Sequence, residues 1–187
     1  MPSTIDSISS QLHRYENDFL HQKIDTICTK ELDSFTLLGR RIGPFKVGHP
    51  YTLDQYIAHI LVESGYLKFS DDSHLSPKSI QKINFQESTN PELGKIPDPY
   101  IYTQAHSELE ILDRLFSQNK VSRHDFTQLN SDVQDLIRVR LAKITRLASQ
   151  TGKTHLMKNL TNEEMLLFDE ISNKIKEWRE QLTQIKK

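Results

Sequence analysis

The chain has 187 residues, of which 36% are hydrophobic and 26% are charged, and its formal net charge is −1 at pH 7. This composition is typical of a folded, helix-rich protein of one or two domains and excludes the disordered class. No apolar run reaches the roughly 18 residues that a membrane-spanning helix needs, and the single cysteine, Cys28, has no partner for an intrachain disulfide, so we expect a cytoplasmic protein.

The first part of the chain predicts one helix followed by a small β-rich domain. Apolar residues recur every three or four positions across residues 4–22, which predicts an N-terminal helix over residues 1–22. Residues 23–83 then combine short β-like pieces with one predicted helix that begins near Asp54. The segment 38–53 carries three glycines and two prolines. Because glycine and proline favour tight turns, this segment predicts very short strands joined by turns.

The second part of the chain predicts a helical domain. Residues 84–99 are polar and hold three prolines, which predicts a linker between the two domains. Residues 100–187 then show three helical patterns, at about 100–118, at about 130–148 and from Thr161 onward. Thr161 and Glu164 form the Thr-x-x-Glu pattern of a capping box. The predicted fold class is therefore α+β, mainly α, with an N-terminal β-rich domain before a C-terminal helical bundle.

The last helical pattern carries a narrow apolar seam. Its residues are spaced by 3, 4, 3 and 4 positions, as in a heptad repeat: Phe168, Ile171, Ile175, Trp178 and Leu182. A stripe of this width suits packing against one or two neighbouring helices. Two interpretations remain open, since the neighbours could belong to the same bundle or to another subunit. These five residues are our candidates for a subunit interface.

One stretch of the helical domain is basic and contains no carboxylate. It covers residues 138–158 and includes Arg138, Arg140, Lys143 and Arg146. These four side chains are candidates for contacts to phosphate. A solvated helix face is the simpler interpretation, because the chain as a whole is not basic.

The sequence shows no catalytic or cofactor-binding constellation. The eight histidines and Cys28 lack the paired spacing of a zinc site, and no serine lies in a Gly-x-Ser-x-Gly elbow. Residues 150–154 resemble the end of a phosphate-binding loop, but Leu147 stands where that loop requires glycine. We therefore expect a protein without enzymatic activity, cofactor or metal.

Several blocks of the chain together resemble a subunit of the GINS complex. Four of them follow one another at suitable spacing: Ile42-Gly43-Pro44-Phe45 with Gly48, then Tyr56-Ile57-Ala58, Leu75-Ser76-Pro77 and Pro97-Asp98-Pro99-Tyr100. The basic helix around Arg138 and the helix start at Thr161 also look like this family. The resemblance is to the class that places its small β domain before its helical domain, similar to the Psf-two/Psf-three branch.

The resemblance implies a non-catalytic scaffold subunit in DNA replication. It implies a heterotetramer with a second GINS-type subunit, and a link between the MCM replicative helicase and a RecJ-like partner. The departures from eukaryotic members, such as Asp54-Gln55-Tyr56 in place of a Pro-x-Trp step, favour an archaeal-type, nucleoid-associated protein; a eukaryotic source would make it nuclear. Two alternatives remain: a helical nucleic-acid-binding protein that uses residues 138–158, and an enzyme whose active site forms only in an oligomer.

Overall fold

The computed structural model describes residues 8–70, 75, 77–119, 121–150 and 154–183. The chain divides into a smaller unit, Glu16–Ser76, and a larger unit that combines Met1–Tyr15 with Pro77–Lys187. Strands occur in the smaller unit and most helices in the larger one. The predicted fold class, a small β-rich region followed by a helical domain, is therefore confirmed.

The smaller unit is built on a three-stranded antiparallel sheet. Its central strand β1 (Lys23–Cys28) pairs with β4 (Pro50–Asp54) on one side and with β5 (Leu67–Phe69) on the other. The helix α2 (Gln55–Glu63) connects β4 to β5. Alternate residues of β1 are buried, as expected for a strand with one face on a core. That core contains five buried side chains: Cys28, Phe45, Ile57, Leu61 and Leu67.

A two-stranded hairpin accounts for the turn-rich segment of the smaller unit. Strand β2 (Phe35–Leu37) pairs with β3 (Arg40–Ile42), and Leu38 and Gly39 form the turn, both with positive φ. Gly43 and Gly48 also have positive φ, and Phe45 between them is buried in the core. The predicted turns and short strands therefore lie where the glycines permit this backbone.

The larger unit packs helices around one long central helix. Its elements are α3 (Pro77–Thr89), α4 (Ile101–Ser117), α5 (Arg123–Ser149), a 3₁₀ segment (Thr154–Asn159) and α6 (Asn162–Thr183). Helix α5 contacts α3, α4 and α6. Its inward face carries Leu129, Val133, Leu136, Ile144 and Leu147, all buried. Among the described residues, no helix combines the length and apolar character that crossing a membrane requires.

Three boundaries differ from the sequence prediction. The N-terminal helix α1 spans Ile8–Leu20, and the division between the two units falls within it rather than after residue 22. Helix α3 belongs to the larger unit and continues to Thr89, so that it includes the first six residues of the predicted linker. The rest of that linker is not a free connection, because Leu93 and Ile96 are buried. The polar composition of this segment gave no indication that Leu93 and Ile96 would be buried.

Two local predictions at helix starts have different outcomes. Asp54 precedes α2 as expected, but its side chain makes no capping hydrogen bond and pairs with Lys23 at 2.6 Å. At α6 the predicted capping box is confirmed: the Thr161 backbone N–H donates to Glu164 Oε2 at 3.0 Å, and the Glu164 N–H donates to Thr161 Oγ1 at 3.3 Å. Ser76, of the block Leu75-Ser76-Pro77 before α3, lies outside the described residues.

Candidate functional site

The apolar seam of α6 is partly covered at its N-terminal end and open at its C-terminal end. Phe168 packs against a core cluster of Leu93, Ile144, Leu147 and Leu156. Ile171 and Ile175 are half-buried, whereas Trp178 is 62% exposed and Leu182 is 66% exposed. The seam therefore begins within the bundle of this chain and continues as a surface.

The course of α6 explains this change in exposure. Arg140 of α5 contacts Glu164 near the start of α6, and the Arg179 side chain donates to the backbone carbonyl of Ser149, at the end of α5, at 2.8 Å. The contacts therefore advance in the same direction along both helices. Because α5 ends at Ser149, it offers no further turns for the last part of α6 to pack on.

The open part of the seam is a shallow apolar concavity with charged edges. Its lining includes Ile171, Ile175 and Trp178 together with the stems of Glu170 and Lys174. Two pairs of opposite charge flank it, Lys174 with Glu177 at 2.9 Å and Lys176 with Glu180 at 4.0 Å. The Glu177 hydrogen bond and charge raise the pKa of Lys174. An apolar centre with a charged rim is the usual composition of a protein–protein interface.

Inside the bundle, Arg140 is the centre of a buried charge network. Its side chain is 0% exposed, and each of its five N–H donors has an acceptor. Nε and Nη2 donate to the two carboxylate oxygens of Glu164 at 2.7 and 2.5 Å, and Nη1 donates to Glu87 Oε1 at 3.0 Å. The remaining donors reach the carbonyl oxygens of Gly94 at 2.6 Å and Asn159 at 3.0 Å. Arg140 therefore joins α3, α5, α6 and two connecting segments.

The surroundings of Arg140 favour its charged form. Burial alone lowers the pKa of Arg140, but hydrogen bonding and attraction to Glu164, and attraction to Glu87, raise that pKa overall. Tyr102 of α4 donates its hydroxyl proton to Glu164 Oε1 at 2.6 Å. Burial first, and the Glu164 carboxylate next, raise the pKa of Tyr102. The phenol therefore stays protonated and acts as a donor.

Two further cations of the basic stretch attach the segment after α3 to α5. Lys143 Nζ donates to Glu87 Oε2 at 2.6 Å and to the carbonyl oxygens of Glu87 and Glu92 at 2.7 and 2.8 Å. The Arg146 side chain donates to the Pro91 carbonyl. In these contacts the carbonyl oxygens accept hydrogen bonds from cations in place of water. The contacts therefore hold the segment that was predicted as a linker against the bundle.

The predicted phosphate contacts are therefore corrected for two of the four residues. Arg140 has no exposed donor, and the three N–H donors of Lys143 are all used within the chain. Arg138 is exposed and pairs with Asp135 at 3.1 Å, and Arg146 is exposed apart from its bond to Pro91. Lys153, in the same stretch, lies outside the described residues. A phosphate contact at Arg138 or Arg146 stays a prediction.

The sequence did not indicate that Glu87 is a partner of Arg140 or that Tyr102 joins the network through Glu164. Glu87 lies in the predicted linker, and Tyr102 lies at the start of a helix pattern, so no local spacing connects them to Arg140. Gly94 also belongs to the network, because its N–H donates to Glu87 Oε1 at 3.0 Å. A Cβ atom built at Gly94 would collide with that carboxylate oxygen. A glycine in an otherwise polar loop was the only local signal of this close approach.

The described residues do not form a recognisable catalytic centre. Among them, no group of three or more His, Cys, Asp or Glu side chains could hold a metal ion. Cys28 is buried in the core of the smaller unit, where its thiol donates to the Lys30 carbonyl at 3.1 Å. The part of the chain that resembled a phosphate-binding loop, residues 151–153, lies outside the described residues. The candidate site is the apolar surface of α6, because of its apolar lining and charged edges.

Comparison with known families identifies the larger unit. Residues 74–183 match the family model described as Sld5, GINS complex protein helical bundle domain. No curated protein matches the chain. The match covers more than half of the chain and contains the buried network and the whole α6 seam, and GINS is a family of non-catalytic scaffolds in DNA replication. The chain therefore belongs to the GINS family and is a subunit of a GINS complex.

Proposed function

We propose that this chain is a scaffold subunit without enzymatic activity that links the MCM replicative helicase to a RecJ-like partner. In this proposal it assembles with a second GINS-type subunit into a heterotetramer of archaeal type. The exposed C-terminal part of the α6 seam is the contact to another subunit. The protein would then act at the nucleoid, or in the nucleus if its source is eukaryotic.

The proposal of a subunit interface on α6 is supported by large apolar side chains that are exposed at regular spacing. Trp178 and Leu182 continue the line of Phe168, Ile171 and Ile175 by steps of three and four residues, yet both are mostly exposed. A helix that only served its own bundle would carry polar residues at those two positions. A partner helix that covers the seam gives the apolar residues a function.

The free energy of burying Trp178 and Leu182 is large enough to contribute to the binding of another subunit. Burying a large apolar side chain contributes roughly 1.5–3 kcal/mol, before the entropy costs of association are subtracted. Tryptophan in a desolvated pocket is among the residues that most often dominate binding energy. The exposed pairs Lys174–Glu177 and Lys176–Glu180 contribute little to affinity by comparison, but they can select the orientation of a partner.

The partners beyond the second subunit rest on the family resemblance alone. The structure gives less support for direct DNA binding than the sequence does, because Arg140 and Lys143 form hydrogen bonds inside the bundle. The exposed cations of this stretch in the described part of the chain, Arg138, Arg146 and Lys158, are too few for the strong salt dependence of a dedicated DNA-binding surface. We therefore do not propose direct DNA binding, and the nuclease treatment described below shows whether DNA holds the partners together.

Purification of the native complex tests the proposed function. The full chain is tagged in its native host, and the cell extract is divided into halves with and without nuclease treatment before capture. We expect the captured complex to contain a second GINS-type chain, the MCM ring and a RecJ-like protein in both halves. A chain recovered alone, or MCM and RecJ-like proteins that disappear after nuclease treatment, would contradict the proposed scaffold role.

A further inference from the structure

The tip of the β2–β3 hairpin carries a leucine in a backbone conformation that leucine rarely adopts. Leu38 and Gly39 form the two-residue turn, with φ angles of 48° and 76°. The pair Leu37 and Arg40 is the last rung of the ladder before the turn. Asparagine, aspartate and glycine are the residues that favour the first position of such a turn, because they tolerate positive φ. A leucine at this position therefore weakens the local fold.

Burial does not compensate for this conformation. Leu38 is 85% exposed, whereas its strand neighbours Phe35, Leu37 and Ile42 pack against the core of the smaller unit. The hairpin is thus held by those three residues, and the Leu38 side chain extends from it into solvent. A strained and exposed apolar residue is an indication of function when the fold gains nothing from it.

The surroundings of Leu38 along the chain are positively charged. Between Phe35 and Pro50 the sequence contains Arg40, Arg41 and Lys46 and no carboxylate, and all three cations are exposed. The Arg41 side chain is fixed in place, because its Nε and Nη2 both donate to Ser34 Oγ, at 3.0 and 2.8 Å. Ser34 lies beyond the rung Phe35–Ile42, so this bond holds the Arg41 guanidinium toward the base of the hairpin. At the tip, the exposed Arg40 directly follows the turn that carries Leu38.

We propose that the Leu38 tip is a docking point for a protein surface with an apolar pocket and acidic residues at its edge. An apolar centre with a polar rim is the usual arrangement of a protein interface, and arginine is among the residues enriched there. A protein fits better than a nucleic acid, because phosphates would gain from the cations but not from an exposed leucine. This inference is independent of the α6 seam and of the identity of the proposed partners.

Site-specific photo-cross-linking tests the docking point in the full chain. Leu38→p-benzoylphenylalanine is introduced in the native host, and Ile60→p-benzoylphenylalanine is the matched control, since Ile60 is also apolar, exposed and in the smaller unit. We expect position 38 alone to form an adduct with one protein segment that contains acidic residues, and Arg40→Glu in the same chain to abolish it. No adduct above the control, an adduct with nucleic acid, or an adduct with another copy of this chain would overturn the proposal.

A second variant separates docking from folding. Because asparagine tolerates positive φ, Leu38→Asn should keep or raise the midpoint of thermal unfolding while it weakens binding to the cross-linked protein about tenfold or more. Ile60→Asn should leave that binding unchanged. Unchanged binding of Leu38→Asn, or a loss of folding together with binding, would overturn the docking role. An adduct on a protein other than MCM or the RecJ-like protein would support the docking point equally, because the proposed partners are tested separately by purification of the native complex.

Discussion

At the scale of single residues, Arg140 and Arg138 show how differently two neighbouring arginines can act. Arg140 is fully buried with carboxylates on two sides, and Arg138 lies in solvent. Arg140→Met should lower the free energy of unfolding by about 3–5 kcal/mol, because Glu164 would remain buried without the Arg140 charge and Glu87 would keep Lys143 alone of its two cations. Denaturation by urea, followed by circular dichroism, measures this change.

The matched control is Arg138→Met, which removes only an exposed pair with Asp135. Such a pair contributes about 1 kcal/mol or less, so the urea midpoint should change little. Equal effects of the two substitutions would contradict the assignment of Arg140 as the centre of the bundle. The sequence could not distinguish these two residues, because the partners that bury Arg140 lie 53 and 24 positions away.

At the scale of elements, the joint between α4 and α6 contains a carboxylate in an unfavourable environment. Glu163 Oε1 accepts a hydrogen bond from Thr103 at 3.0 Å, while Oε2 is buried without a partner among the described residues. Burial raises the pKa of Glu163 above its ordinary value of 4.5. The folded protein therefore binds the Glu163 proton more tightly than the unfolded chain does. The stabilisation that this proton gives is fully present below pH 4.5, and it is lost as the pH rises through the raised pKa of the folded state.

Glu163→Gln should remove this dependence. The variant should match the wild type below pH 4.5 and be more stable than it at pH 7, because the amide carries no charge to be buried. Thermal unfolding measured across pH 4 to 8 tests the prediction. Asp169→Asn, which alters an exposed carboxylate of the same helix, should retain the wild-type pH dependence. A Glu163→Gln protein that is less stable at pH 7 would show that the carboxylate is favourable there.

The elements themselves were predictable to different degrees. The Thr161–Glu164 capping box is local in sequence, and the structure confirms it. The end of α3 and the burial of Leu93 and Ile96 were not predictable, because polar residues and prolines indicated a linker. That segment is held by Arg140, Lys143 and Arg146, whose contacts depend on tertiary structure.

At the scale of the whole molecule, the spacing of apolar residues and the positions of glycine and proline were enough to predict a small β-rich unit before a helical domain. Turn residues marked the hairpins, and apolar spacing marked the long helices. The candidate interface was predictable as a seam, since Phe168 to Leu182 keep their heptad spacing. Its division into a covered part and an open part was not, because that depends on where α5 ends beside α6.

Light scattering of the assembled complex tests whether the α6 seam is the contact between subunits. The chain is co-expressed with its second GINS-type subunit, either as wild type, as Ile175→Asp with Trp178→Ala, or as the control Phe85→Ala, which truncates an exposed apolar residue of α3. Circular dichroism first establishes that each variant is folded. We expect a tetramer for the wild type and the control and a smaller particle for the seam variant. A folded seam variant that still forms the intact tetramer would show that the seam is not a contact between subunits.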